Sequence, residues 1–299
     1  MCGIAGIMTY DGMAVSEKLL DMLDLIQHRG PDAAGIAYFQ KGSTAEVRIS
    51  HTGEGKKQDA LDTIEGKANF KLKKEFTSGP KYGFIEAEIE LLNGYSFRDL
   101  HEALNMRDGL YVHSIGSDVS VYKDGGTVKR LRDIHTIKPG NATHGIGHVR
   151  MATESAEDIN AAHPFVSPFY PEMAMVHNGQ FTNYFNLRRS LESKGAIFKT
   201  QNDSEVASHL IAWAMQENGG DLEAALNYAL EELDGVFCIM AATAVQMGIV
   251  KDKLGIKPLL LFEKDGATLL GSEQIEFTTL FPDVYAEELE PGEVRVWNI

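Results

Sequence analysis

Met1-Cys2-Gly3-Ile4-Ala5-Gly6-Ile7 is the stretch on which the reading of the whole chain turns. Aminopeptidases that remove an initiator methionine accept a small second residue, and removal of Met1 would leave Cys2 with a free α-amine. Such a residue carries a nucleophile and a base on one α-carbon. The thiol attacks, and the amine, with a pKa of roughly 7.7–8, accepts the proton. A separate histidine is then unnecessary. Cysteine at position 2 is nevertheless common, and the same residues read equally as the start of a buried first strand. The two readings part on whether the chain supplies the other components such a nucleophile needs.

Three further segments supply them. The first is His28-Arg29-Gly30-Pro31-Asp32-Ala33-Ala34-Gly35-Ile36, and the second is Gly145-Ile146-Gly147-His148-Val149-Arg150-Met151-Ala152-Thr153. The third is His177-Asn178-Gly179, followed by Asn202-Asp203-Ser204-Glu205. With Cys2, and in this order, they resemble the class II glutamine amidotransferases, N-terminal-nucleophile hydrolases that release ammonia from glutamine. The resemblance runs from Cys2 to about Glu273 and is interrupted by one long insertion.

The resemblance implies a role for each residue. Cys2 is the catalytic nucleophile, and Asn178 and Gly179 form the oxyanion pair, an arrangement in which each donor is typically worth ~3–4 kcal/mol of barrier. Arg150 forks onto the glutamine α-carboxylate, which suits a planar guanidinium, and Thr153 contacts the substrate nearby. Asp203 holds the α-ammonium. Arg29 and Gly30 form the loop beside the nucleophile and count among the substrate-binding residues, with Gly30 allowing close backbone approach and Arg29 bracing the site; His163 matches a position at the mouth of the site. Plainer readings stand beside these. Asn-Gly is the strongest short hairpin signal, Arg150 could serve a surface ion pair, and His163 reads equally as a turn residue. Asp is a favoured helix N-cap, although Asn202 can cap here with Glu205 as its capping-box partner, leaving Asp203 at the first helical position. Several family members carry an aromatic residue where this chain has Met151, which leaves that wall of the pocket open.

Composition agrees with a soluble cytoplasmic enzyme. The 299 residues carry 28 basic and 43 acidic side chains, a formal net charge of −15, and 43% hydrophobic residues. That balance disfavours nucleic acid, whose phosphates need clustered Lys and Arg, and disfavours an anionic membrane surface. No stretch is long enough to span a bilayer, and Ile4 to Met8 is too short for a secretory signal. Two cysteines form neither a disulfide framework nor a CxxC pair, and Cys238 reads as a packed hydrophobe in a buried strand. His144 and His148 lack a third ligand of suitable spacing, so no metal is expected.

The coarse element pattern is strands, a block of helices over about 183–233, then strands again, an α+β signature. The resemblance implies a four-layer αββα sandwich of N-terminal-nucleophile hydrolases, with 2–299 as the amidotransferase domain. Residues 37–144 fall outside the motif set and read as an inserted small α+β subdomain. In it, Phe84 to Leu91 alternates as a half-buried strand and Ser96 to Met106 reads as a helix. Residues 110–115 and 119–123 read as a hairpin, and 52–80 as the loosest part. The closing segments, around Lys251 to Leu259 and Gly271 to Glu273, read as architectural.

The chain has no P-loop and no dinucleotide-binding glycine fingerprint, and it offers no room for a synthase domain. No cofactor is expected in it; a flavin or iron–sulfur cofactor, if any, belongs to a partner. The stretch Tyr111 to Ser117, leading to Val119-Ser120-Val121-Tyr122-Lys123, resembles the separately encoded amidotransferase subunits of glutamate synthase-like and N-methylglutamate synthase-like complexes. The expectation is thus a glutaminase subunit that passes ammonia to a synthase subunit. A module of an amidophosphoribosyltransferase-like or asparagine synthetase-like system is the alternative, and a catalytically silent glutamine sensor or assembly module is an alternative of another class.

Overall fold

The computed structural model describes residues 2–9, 14–42, 44–137, 140–152, 158–264 and 266–299. Asp11-Gly12 and Lys264-Asp265-Gly266 read in the sequence as turns; Asp11-Gly12 lies outside these residues, as does Asp265. The chain begins with β1 (Gly3–Thr9), α1 (Val15–Leu25) and β2 (Ala33–Phe39). It continues through β3 (Ala45–Thr52), α2 (Lys56–Glu65), β4 (Ala68–Ser78), β5 (Tyr82–Leu91), α3 (Phe97–Asn105) and β6 (Leu110–Gly116). Then come β7 (Val119–Gly125), α4 (Val128–His135), β8 (His144–Arg150), β9 (Phe165–Ser167) and β10 (Tyr170–Phe181). Helices α5 (Tyr184–Ser193), α6 (Asp203–Glu217) and α7 (Leu222–Glu232) follow. The chain closes with β11 (Gly235–Ala242), β12 (Gln246–Lys251), β13 (Leu260–Lys264), β14 (Ala267–Gly271), β15 (Glu287–Glu288) and β16 (Val294–Asn298).

Among the described residues these strands form three sheets. A seven-stranded sheet runs β15-β13-β14-β1-β8-β2-β7, a five-stranded sheet β16-β12-β11-β10-β9, and a four-stranded sheet β4-β5-β3-β6. The period-2 alternation of β1 explains the layering. Ile4 and Met8 point into a core shared with Val176, Met240 and Ile249 of the five-stranded sheet. Ala5 and Ile7 point the other way, against Leu19, Leu20 and Leu23 of α1 and Leu131 of α4. The outer face of the five-stranded sheet, with Met173, Met175 and Ile239, is covered by Leu210, Met215, Leu222 and Leu226 of α6 and α7. Helix, sheet, sheet, helix is the expected four-layer αββα sandwich. No helix among the described residues is long and apolar enough to cross a membrane.

The stretch 37–144 divides. Residues 45–116 form the four-stranded sheet with α2 and α3, around a core of their own that includes Val47, Ile49, Ile85, Leu100 and Leu104. Ser96 caps α3 in a reciprocal capping box with Asp99, as its sequence position implies. β7 and α4, by contrast, belong to the seven-stranded sheet and its outer layer.

Two expectations are corrected here. Residues 52–80 are regular structure, α2 and β4, with Ala60 and Ile64 buried against the inserted sheet. β6 and β7 are not a hairpin: β6 pairs with β3 and β7 with β2. The cause is where their apolar faces go. Leu110, Val112 and Ile115 fill the inserted core, whereas Val119 and Val121 fill the space between the two large sheets.

Candidate active site

The antiparallel pairing of β1 with β8 puts Gly3 opposite Val149, so Cys2 and Arg150 emerge side by side at one end of the seven-stranded sheet. Cys2 is partly exposed, with Sγ 3.9 Å from the Met151 carbonyl oxygen. Cys238 is fully buried, and burial pushes its thiol up to about 12, so it is a packed hydrophobe and no nucleophile. Arg29 Nε donates to the Cys2 carbonyl at 3.0 Å, and its Nη1 donates to Glu273 at 2.7 Å. Partial burial raises the Glu273 carboxyl, but the hydrogen bonds from Arg29 and His28 outweigh it and hold the group below its ordinary value. The Ile4 amide donates to the Ser272 hydroxyl at 3.0 Å. Gly30 lets this bracing loop lie on β8, since a Cβ there would sit 2.5 Å from the Val149 carbonyl carbon and 2.6 Å from Arg150 backbone atoms.

A cavity of about 520 Å³ opens beside the thiol, within the usual range for small-molecule sites. Cys2, Arg150, Met151, His163, His177, Gly179 and Asp203 all contribute to its walls. A guanidinium and a carboxylate facing one cavity match the two charged ends of a free amino acid. Asp203 is the first residue of α6, and Asn202 caps the helix by accepting from the Ser204 amide at 2.9 Å. The capping box anticipated with Glu205 does not form. Glu205 instead accepts from the amides of Lys199 and Thr200, both at 2.7 Å, and so ties down the approach to the helix. Asp203 Oδ2 accepts from the Phe181 amide at 3.1 Å, and a carboxylate keeps further acceptor sites for a ligand.

Asn178 and Gly179 lie inside β10, opposite Cys238 and Phe237 of β11, and not at the turn their dipeptide resembles. Gly179 has φ 155°, and a Cβ would meet the Val236 carbonyl oxygen at 2.0 Å, so the strand passes this point only as glycine. Asn178 is 2% exposed, and its Nδ2 has no hydrogen-bond partner among the described residues. A buried donor left unpaired calls for an explanation, and an oxyanion formed beside Gly179 would satisfy it. Asn178 is not itself among the cavity's lining residues, although His177 and Gly179 on either side of it are.

Three buried histidines stand behind the cavity. The His148 and His163 rings stack at 4.0 Å, and His177 hydrogen-bonds the Ser204 hydroxyl through Nδ1 at 2.8 Å. Burial holds His177 down to about 4, His148 to about 3 and His163 well below 6.5. At neutral pH all three are uncharged and weakly basic. Among the described residues no group of three or more His, Cys, Asp or Glu side chains is arranged to hold a metal ion.

The residues singled out by sequence therefore separate into groups. Cys2, Arg150, Gly179, Asp203 and His163 meet at one cavity. Arg29 braces Cys2 and Gly30 lies close against β8, and neither is among the residues lining the cavity. Thr153 lies outside the described residues. Sequence reading missed Ser204 as the partner of His177 and gave Glu273 only an architectural part. Both sit inside quoted motifs, but nothing in their spacing assigns them a partner.

Residues 148–279 match the family model described as a glutamine amidotransferase domain. A candidate glutamine amidotransferase of Methanothermobacter thermautotrophicus is 33% identical over 306 residues, covering 100% of both chains. The chain belongs to the class II glutamine amidotransferases. The glutamine amidotransferase-like protein GlxB of Rhizobium meliloti is 31% identical over 305 residues, covering 100% of this amidotransferase and 98% of GlxB. The glutamine phosphoribosylpyrophosphate amidotransferase of B. subtilis shares the fold, with a TM-score of 0.62 at 21% identity, over 99% of this chain but 47% of its own. This amidotransferase thus spans about half of that enzyme.

Two predictions follow from the site. The buried histidines keep folded pKa values below their ordinary 6.5, so below that pH the unfolded chain binds protons that the native amidotransferase does not. Their stabilising contribution is complete above pH 6.5 and is lost as pH falls toward 4. Melting temperatures measured from pH 7.5 to 4.5 should fall, and His148→Gln should flatten the decline. In steady-state kinetics, Asn178→Ala should lower kcat by about 10²–10³ with little change in KM. Arg150→Ala and Asp203→Ala should mainly raise KM, and the opposite pattern would refute the role assignments.

Proposed function

We propose that Cys2, once Met1 is removed, attacks the side-chain amide carbon of L-glutamine. The thiol proton passes to the Cys2 α-amine as the S–C bond forms. The resulting oxyanion takes hydrogen bonds from Asn178 Nδ2 and the Gly179 amide. The protonated amine then gives its proton to the departing nitrogen, the C–N bond breaks, and ammonia leaves. Water attacks the thioester, giving up a proton to the amine and releasing glutamate and the free thiol. Arg150 and Asp203 hold the α-carboxylate and α-ammonium throughout. The observation that carries this reading is the single cavity lined by Cys2, Arg150, Gly179 and Asp203. Support also comes from the unpaired Asn178 donor and from histidines too acidic to act as the base.

The ammonia, in this proposal, goes to a separate synthase subunit of the glutamate synthase-like kind. The stretch from Tyr111 to Lys123 supports it by its resemblance to amidotransferase subunits of such complexes. The four-stranded sheet of residues 45–116 has a core apart from the catalytic layers and is the natural docking surface for that subunit.

Intact mass should show active protein without Met1, and Cys2→Ser should abolish hydrolysis while leaving glutamine binding in place. Full activity with Met1 retained would overturn the α-amine mechanism. Glutaminase activity of the isolated chain should be low and should rise at least about tenfold, equivalent to ~1.4 kcal/mol of barrier, when a co-purifying synthase subunit and its substrates are added. An isolated chain that runs at full speed and is unaffected by such a subunit would make it a stand-alone glutaminase.

A further inference from the structure

One buried charge is unused by the chemistry above. Lys123, near the end of β7, is 5% exposed. Its Nζ donates to Ala162 O at 2.8 Å, to Pro164 O at 3.2 Å and to Asn160 O at 3.5 Å. The ammonium also lies 4.9 Å from the Phe165 ring centroid. Three carbonyls from alternate residues of one stretch thus curl about a single nitrogen. An ammonium has three N–H donors and no acceptor, one donor for each carbonyl. A neutral amine has only two and would turn a lone pair toward the third oxygen.

The stretch so held touches the catalytic cavity at two points. His163 forms part of the wall. The Ala161 carbonyl accepts from Asn202 Nδ2 at 3.0 Å, and Asn202 caps α6 immediately before Asp203. On its other side the stretch meets the inserted sheet. Ser50 of β3 donates to Asn160 Oδ1 at 2.7 Å and is hydrogen-bonded to His113 of β6 at 2.8 Å. Lys123 therefore sits where the inserted sheet, residues 160–164 and the start of α6 come together.

We propose that Lys123 is a positioning residue for glutamine: its ammonium holds residues 160–164 in the curve that sets Asn202 and, through it, the Asp203 carboxylate. The inference rests on the reading of Asp203 as the clamp for the glutamine α-ammonium. Burial brings Lys123 down to about 7, against the opposing pull of Glu205 and Asp158, so its charge changes near neutral pH. The groups that face it are Glu205 of α6, Asp158 ahead of residues 159–161, Arg150 of β8, His113 of β6 and His163 of the stretch itself. Burial holds both histidines well below 6.5, so they stay neutral as Lys123 titrates, while burial raises the Glu205 carboxyl.

The test is calorimetric binding of L-glutamine to the full-length Cys2→Ser chain, which does not turn the ligand over, between pH 6 and 9, with and without Lys123→Met. At pH 6 the Lys123→Met chain should bind about tenfold more weakly, the scale of a lost buried hydrogen bond. The gap should narrow as pH rises, because the parent loses its own ammonium. With Cys2 restored, Lys123→Met should raise KM far more than it lowers kcat. Equal affinity at every pH in a folded Lys123→Met chain would overturn the proposal, and so would a gap that does not vary with pH. If Lys123→Met does not fold, Lys123→Arg replaces it: its charge is fixed, so its affinity should vary less with pH than the parent's, and an identical profile would overturn the proposal. A parent chain that binds no glutamine at any pH would instead refute the clamp reading, and this inference with it.

Discussion

The pairing of β1 with β8 is the constraint from which the site follows. Gly3 opposite Val149 fixes the Cys2 thiol and the Arg150 guanidinium at adjacent strand ends, where a shift of one residue would turn every β1 side chain to the other face. That shift is opposed on both sides. Ile4 and Met8 are needed between the sheets, and Ala5 and Ile7 are needed under α1. The packing that makes the sandwich stable therefore also sets the register of the chemistry. The second sheet completes the site from β10, whose interior carries Asn178 and Gly179, and α6 adds Asp203 at its first residue.

Charge at the cavity is carried by one guanidinium and one carboxylate. Arg150 and Asp203 line it, while imidazoles that could have carried positive charge are kept neutral by burial. Arg29 directs its guanidinium to the Cys2 carbonyl and Glu273, so it steadies the Cys2 backbone, while Arg150 lines the cavity. The division of labour between two arginines rests on geometry alone, since both are equally cationic.

Much of this was legible in the sequence because four ordered motifs each carry a residue type that glutamine hydrolysis needs. The four-layer fold was legible through the same motifs and through the strand–helix–strand pattern. What was not legible has a common cause. Alternation announces that a strand has a buried face, but not which core will fill that face, so β6 and β7 looked like a hairpin although they serve separate sheets. Asn178-Gly179 looked like a turn because the dipeptide tolerates positive φ, and nothing local reveals that a strand with cross-strand pairing on β11 can absorb the same φ. Nothing local assigns Lys123 its partners, since they lie about forty residues further on, at the carbonyls of Asn160, Ala162 and Pro164.

The inserted sheet leaves the sandwich after β2 and re-enters it at β7, and Phe39 and Val119, at those two boundaries, are paired partners across adjacent strands. The whole excursion is topologically the loop of one antiparallel connection. Its ends are brought together by the sheet itself, so lengthening it adds little closure entropy. A lineage could trim, replace or elaborate this appendage while the catalytic scaffold keeps its strand order. Such a change needs new sequence in one locus only, with the seam at Ser50 and Asn160 as the place where a new appendage must still fit.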